Sequence, residues 1–522
     1  MLCEGTGSTA NCGSLQRENS RLRSFKNNRL EPSELKRRRT DVSVELRKAK
    51  REAELLKRRN ITADADKNLL LREICQSNIS DIFERIKSAD TTIQLAGVQN
   101  IRKLLSMDNH SLIEAIVESG IVPNLVQFLS RMNSVAIQFE AAWVLANITS
   151  GTSQQTYAVV DAGAIPHFIR LLSSHHNNIK EQALWAIANI AGDGSNLRDT
   201  LIKNGVIFPL ITLISSNMYY PGPFLKNSIW TLSNFCRHKD PPPSYETVTQ
   251  LLPTLTSLLH HNDKEVVSDA CRILSYLTDS SIDRIELVVK CGIVPCLVSL
   301  LSSDDITLLE PALRTVGNII TGREQHVGLM LDNGVLENFG SLLRHQKANI
   351  QKEAAWAISN ITAGPQKHIE VVIQYNLVPA LVILLAEGTT EQAQREVVWA
   401  VANIAAGGTI QQVCHLLQAG VLRPLCDLLT IKDAKVTVII LDAINNILMA
   451  VDKVNHREQV CIMIEEVGGL DKIESLQQHA NPLVYNAALA IIERYFNENN
   501  QDTITDMSTG LLQFSTVNHA IV

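Results

Sequence analysis

Five tryptophans punctuate this 522-residue chain, and each is followed four residues later by asparagine: Trp143/Asn147, Trp185/Asn189, Trp230/Asn234, Trp356/Asn360 and Trp399/Asn403. Four residues is about one helical turn, so the two side chains of a pair share a helix face. Successive tryptophans stand 42, 45, 126 and 43 residues apart, and 126 is three times 42. The chain therefore repeats a helix about every 42 residues and keeps Trp and Asn in register on it. A second motif keeps the same beat. "SGIVPNLVQFLS" (Gly120), "AGAIPHFIRLLS" (Gly163), "NGVIFPLITLIS" (Gly205), "CGIVPCLVSLLS" (Gly292), "NGVLENFGSLLR" (Gly334) and "AGVLRPLCDLLT" (Gly420) recur along the chain. Glycine suits the position just past a helix, and proline a few residues on suits the first turn of the next. Each repeat thus reads as a short helix, a middle helix and a third, Trp-bearing helix.

A period of this size with a few helices per repeat points to an all-α solenoid of the armadillo or HEAT kind, in which neighbours stack into one continuous core. Roughly ten units fit in the repeat domain, residues 79–495. Residues 1–14 are small and polar, a composition typical of disorder. Residues 15–60 form a basic arm, in which Val44 to Lys57 are strong helix formers. Residues 61–78 read as a linker and 496–522 as a loose tail. The arm and body differ in charge: residues 1–60 hold 16 basic and 8 acidic residues, and the remainder holds 32 and 46. A net of +8 tethered to a net of −14 invites an intramolecular contact.

Composition excludes several classes. No run of 18 or more apolar residues and no apolar leader is present, so neither a membrane span nor a signal peptide is expected. The ten cysteines follow no metal or disulfide spacing. No catalytic or metal-ligating set emerges, and no cofactor is expected. "KRRR" (Lys36–Arg39) and "KRRN" (Lys57–Asn60) raise nucleic acid as a partner. The acidic body and an arm whose one aromatic is Phe25 argue against it.

The face of the third helix carries the functional signal. Three residues before the tryptophans stand Glu140, Gln182, Asn227, Glu353 and Glu396, and Asp193 follows Asn189 by four. Val144, Leu145 and Ile148 on the opposite side read as core. A lone tryptophan is commonly core as well, but five in register beside acids describe a slot. Indoles accept long aliphatic stems and attract cations. An asparagine amide can pair with both backbone groups of an extended peptide, and carboxylates select Lys or Arg. Helices about 8–10 Å apart meet an extended chain roughly every two to three residues. Two intervening repeats carry Arg272/Tyr276 and Arg314/Asn318 in the Trp/Asn positions, which splits the ladder into two groups. Trp230 and Trp356 are then about 30 Å apart, a span for an extended linker of about ten residues.

These features resemble the importin-α (karyopherin-α) family of nuclear import adaptors. The likeness covers residues 15–495 and rests on the W-x-x-x-N array, "ELRKAKREAELLKRRN" and "DAINNIL" (Asp442–Leu448). It implies a right-handed superhelical solenoid of about ten armadillo repeats. It implies that mono- and bipartite nuclear localisation signals bind in the concave groove. The major site would comprise Trp143, Asn147, Thr156, Gln182, Trp185, Asn189, Asp193, Asn227, Trp230 and Asn234. The minor site would comprise Arg314, Asn318, Glu353, Trp356, Asn360, Glu396, Trp399 and Asn403. The arm, through Lys36, Arg37, Arg38, Arg39, Arg47, Lys48, Lys50, Arg51, Lys57, Arg58 and Arg59, would bind importin-β and, without it, occupy the major site. The resemblance further implies shuttling between cytoplasm and nucleus, and an export receptor with Ran-GTP at the C-terminal repeats. An armadillo scaffold for other extended peptides is the alternative. The sequence departs from the family at Arg272, near Asp269 and Asp279, where tryptophan is usual, and at Arg323. Arg272 is expected to neutralise acids that would otherwise attract a lysine, and both charges are expected to weaken the minor site.

Overall fold

The computed structural model describes residues 57–58, 79–106, 110–218, 222–238, 240–388 and 390–497. The N-terminus expected to be disordered, the helix expected at residues 44–57, the linker and the tail fall almost wholly outside them. Every regular element among the described residues is a helix. Ten of these are third helices, numbered here in chain order. They are α1 (Thr91–Leu105), α2 (Val135–Ile148), α3 (Asn177–Asp193), α4 (Pro223–Arg237), α5 (Lys264–Thr278), α6 (Ile306–Ile320), α7 (Ala348–Thr362), α8 (Glu391–Gly407), α9 (Ala434–Asp452) and α10 (Pro482–Tyr495).

Local chemistry starts and stops them. Asp90 caps α1 by accepting from the backbone N–H groups of Thr92 and Ile93, and Asp433 caps α9 in the same way. The turn between the first and second helix of a repeat needs a left-handed residue. Gly163 supplies it at φ 83 and Gly292 at φ 73, as do the other glycines of the recurring motif. In one repeat Asn376 adopts φ 52 in its place, a substitution asparagine tolerates better than other non-glycine residues.

The helices form two compact units, which divide at Thr315 and Val316. In the unit ending at Thr315, α1 packs on α2, α2 on α3, α3 on α4 and α4 on α5. In the unit beginning at Val316, α7 packs on α8, α8 on α9 and α9 on α10. Each helix meets mainly its sequence neighbours, which is the packing of stacked repeats. Val144, Leu145 and Ile148 are fully buried, and burial of such a side chain stabilises by about 1.5–3 kcal/mol.

Two expectations need correction. The repeat between Trp230 and Arg272 has one helix, Tyr245–Leu259, before α5 rather than two. The run Pro241–Pro243 offers no backbone N–H to a helix, and the loop is held from outside. Arg198 donates to the carbonyls of His238 (2.9 Å) and Pro241 (2.8 Å), and Arg284 to that of Pro243. Also, α9 is long and apolar enough to cross a membrane by length and composition, at mean hydropathy 1.7. It packs between α8 and α10, where its apolar length serves the core.

Candidate functional site

The unit ending at Thr315 gathers most residues of the first Trp group around two residues of the arm. Thr152 and Gln155 form a capping box at the start of helix Ser153–Asp161 and so fix Thr156 beside the C-terminal end of α2. Asp193 is the last residue of α3. Between them sits the Lys57 ammonium. It donates to Gly151 O at 3.0 Å, Thr156 Oγ1 at 2.8 Å and Asp193 Oδ1 at 2.5 Å. Three donors meet three acceptors, which suits an ammonium better than the planar guanidinium fork. The C-terminal ends of α2 and α3 add negative dipole potential. Burial lowers the Lys57 pKa, and the bond and charge of Asp193 oppose that shift.

Arg58 is held by its backbone. Its N–H donates to Asn189 Oδ1 at 2.9 Å, and its carbonyl accepts from Asn189 Nδ2 at 3.1 Å and Trp185 Nε1 at 2.6 Å. The asparagine amide thus grips both polar groups of one extended residue, whatever its side chain. The Arg58 guanidinium lies 4.5 Å from the centroid of the Trp230 ring. Trp185 meets Trp230 edge to face, centroids 5.9 Å apart. Burial lowers the Arg58 pKa, Asp269 raises it, and Arg237 and Arg272 lower it further.

The ladder asparagines have a second task that the sequence did not reveal. Asn189 Nδ2 also donates to Ala146 O of α2 at 3.0 Å, Asn234 Nδ2 to Ala188 O of α3 at 2.9 Å, and Asn403 Nδ2 to Ser359 O of α7 at 2.8 Å. In each case the acceptor lies three residues past the preceding tryptophan, so the amides staple one repeat to the next.

The rung at Trp143 differs. Arg102 of α1 stacks on its ring at 4.6 Å and pairs with Glu140. Burial raises the Glu140 pKa, which Arg102 partly offsets. Glu140 was expected to select a lysine from an incoming peptide, but it is already neutralised from within the body. Arg102 lies 41 residues before Trp143 and so holds the Trp register of the preceding repeat, a signal available in the sequence. Asn147 and Gln182 are buried, and Asn227 Nδ2 donates to Glu181 Oε1 at 3.4 Å.

The second Trp group lies in the other unit. Trp356 and Trp399 are 6% and 5% exposed. A Cβ at Gly317 of α6 would stand 2.5 Å from the Trp356 ring, so only glycine lets the indole lie there. Asn360 Nδ2 turns to Trp356 O of its own helix at 2.9 Å, and its Oδ1 is buried with no hydrogen-bond partner among the described residues. Glu353 lies 3.5 Å from the Lys352 ammonium. Asn318 is buried, and Arg314, one turn earlier on α6, and Glu396 of α8 are half-buried. Arg323 caps helix Glu324–Asp332, its N–H donating to His326 Nδ1 at 3.1 Å.

Arg272 pairs with one of the acids it was expected to neutralise. It bonds Asp269 at 2.9 Å on α5, and its charge also bears on Arg58 of the first Trp group. The reason is adjacency: the rung after Trp230 neighbours Trp230, not Trp356. The Asp279 backbone N–H donates to Ser275 O at the end of α5. Among the described residues no cluster of His, Cys, Asp and Glu could hold a metal, and the described cysteines are free thiols. Of the basic arm residues named above, only Lys57 and Arg58 fall within the described residues.

Comparison with known proteins adds the lineage. The importin beta binding domain family matches residues 21–99. The armadillo/beta-catenin-like repeat family matches residues 109–150, 152–192, 281–321, 324–363 and 365–406, and an atypical Arm repeat matches 458–509. Importin subunit alpha-3 of Arabidopsis thaliana is 40% identical over 91% of this chain and 92% of its own length. Importin subunit alpha-8 of Mus musculus is 46% identical over 92% and 95%. The crystal structure of an engineered protein superposes with a TM-score of 0.70 at 28% identity, covering 81% of this chain and all of its own. With an importin beta binding segment, armadillo repeats and relatives that span nearly its full length, the chain belongs to the importin subunit alpha family.

Proposed function

We propose that the chain is a nuclear import adaptor whose first Trp–Asn ladder binds Lys/Arg-rich nuclear localisation signals. The carrying observation is the pair Lys57–Arg58. The Lys57 ammonium fits a three-acceptor pocket made with Asp193, and Asn189 grips the Arg58 backbone from both sides. Such contacts suit any extended peptide with a lysine followed by a residue that can stack on Trp230. In this reading the arm is an internal copy of the signal and competes with cargo. Tethering gives it an effective concentration on the order of mM. Importin-β, taking the segment that matches its binding domain, would withdraw the arm and free the groove.

The second group, with Asn318, Glu353, Trp356, Asn360, Glu396, Trp399 and Asn403 and with Arg314 a turn before Asn318, would take the other basic cluster of a bipartite signal. The unsatisfied Oδ1 of Asn360 supports this, since Asn189 uses the same atom to accept a peptide N–H. An export receptor with Ran-GTP at the C-terminal repeats, and shuttling between cytoplasm and nucleus, complete the proposed cycle.

The test is a titration of a labelled Lys/Arg-rich peptide into the full chain, into the chain lacking residues 1–60, and into the full chain with Lys57→Ala and Arg58→Ala. Both variants should bind more tightly than the full chain, and added importin-β should tighten only the full chain. Equal affinities would remove the internal competitor from the account. Preference for an acidic peptide would favour a general armadillo scaffold instead.

A further inference from the structure

The Trp230 rung is bounded on one side by α5, and the side chains there are charged rather than aromatic. Arg272 follows Trp230 by 42 residues and holds the same register on α5, with Asp269 three residues earlier on the same face. Arg272 Nη1 donates to Asp269 Oδ1 at 2.9 Å; the Arg272 side chain is 48% exposed, whereas burial raises the Asp269 pKa and the charges of Arg272 and Arg58 oppose that shift. The Arg58 guanidinium on Trp230 is attracted by Asp269 and repelled by Arg272 and Arg237. Arg237 itself stacks 5.3 Å from the Tyr276 ring, in the asparagine register of α5. The remaining charges felt by Asp269 are Lys226 and Glu265. Those two pair with each other, and Lys226 also lies 3.5 Å from Asp263.

We propose that Arg272 is a specificity-determining residue that attenuates the Trp230 slot. By holding the Asp269 carboxylate, it withholds that acid from an arginine bound over Trp230. The inference rests on the reading that the first ladder binds basic peptides, and it names what sets selectivity at one slot. A cation there is retained by stacking on the indole while its ion pairing is shared with a resident arginine. The slot consequently discriminates only weakly between arginine and a neutral side chain of similar length. The same device lightens the grip on Arg58, which eases displacement of the arm.

The test uses the full chain carrying Lys57→Ala and Arg58→Ala, so that the arm does not compete. Two labelled peptides are titrated: a copy of residues 55–61, and the same peptide with methionine in the position of Arg58. Arg272→Ala should tighten binding of the arginine peptide by about two- to fivefold, the range of an exposed charge pair. It should leave the methionine peptide unchanged. Arg272→Gln should match Arg272→Ala, and melting at the parent temperature establishes that both variants fold. In an Asp269→Ala background the gain should shrink to what direct repulsion by Arg272 leaves. No gain from either variant, an equal gain for both peptides, or a gain undiminished by Asp269→Ala overturns the inference. If the parent binds neither peptide, the ladder reading itself falls and the inference with it.

Discussion

Trp143 and Trp230 each carry an arginine over the indole, at 4.6 and 4.5 Å, yet the two rungs do different things. The arginine on Trp143 is Arg102, which belongs to the adjacent helix α1 and is tied to Glu140. The arginine on Trp230 is Arg58, which arrives on the arm and is held through its backbone by Asn189. One stack is part of the body, and the other, in the proposed reading, is exchangeable. Cation–π geometry is therefore no guide to function by itself. What separates the rungs is the source of the cation and whether the neighbouring acid is already paired.

The largest test of that distinction is Asp193→Lys. It reverses the charge beneath Lys57, and a charged hydrogen bond is worth about 1.5–3 kcal/mol before repulsion is added. Affinity for a single-cluster basic peptide should fall by about 100-fold or more at fixed salt in fluorescence anisotropy. An unchanged Kd would remove Asp193 from the slot. Arg102→Ala should do the opposite. It leaves the Glu140 carboxylate buried beside Trp143 without its partner, so stability should drop by about 2 kcal/mol in denaturant unfolding. The Kd for a Lys-Arg core should stay within about twofold, as for separated sites. A loss of affinity without loss of stability would make Trp143 an exchangeable rung like Trp230.

Lys57→Ala with Arg58→Ala probes the exchangeable stack directly. Cargo peptide should gain about tenfold in apparent affinity once the tethered competitor is gone, read by the same titration at two salt concentrations. The second Trp group offers a smaller effect. Gly317→Ala drives a methyl into the Trp356 ring and should cost about 1–3 kcal/mol of stability. Melting curves that match the parent would show that the indole moves freely.

The smallest expected effect concerns acid. Asp90 caps the helix that delivers Arg102, and the backbone N–H groups of Thr92 and Ile93 lower its pKa from 3.8. Hydrogen bonds from the Thr307 hydroxyl and N–H lower that of Asp305 likewise. Because the folded values lie below the unfolded one, these caps contribute stability above about pH 4 and lose it as the pH falls through the carboxylate range. Asp90→Asn should flatten that part of a stability–pH curve slightly. An unaltered slope would mean the cap does not hold α1.

The repeat class was legible because its signals are local. Left-handed glycines, prolines in first turns and the Trp–Asn spacing each act within one or two helices. Lys57, Arg58, Asp193, Thr156 and Asn189 were all named from the sequence, since a basic tetrapeptide and a ladder of indoles beside acids are complementary chemistries. Other features depended on distance in space. The stapling role of Asn189, Asn234 and Asn403 arises between helices more than 40 residues apart. The missing first helix before Tyr245 reflects a proline run anchored by Arg198 and Arg284 from other repeats.

Sequence by itself determined the all-α repeat, the register of its rungs and the charge that each rung carries. Only the tertiary structure decided which charges remain for a ligand. Glu140 and Asp269 are spelled like Asp193, as acids on the ladder face, but each is taken by an arginine of the body while Asp193 meets Lys57. An acid selects its cation by distance and burial, and those are set when helices stack, not when residues are counted along the chain.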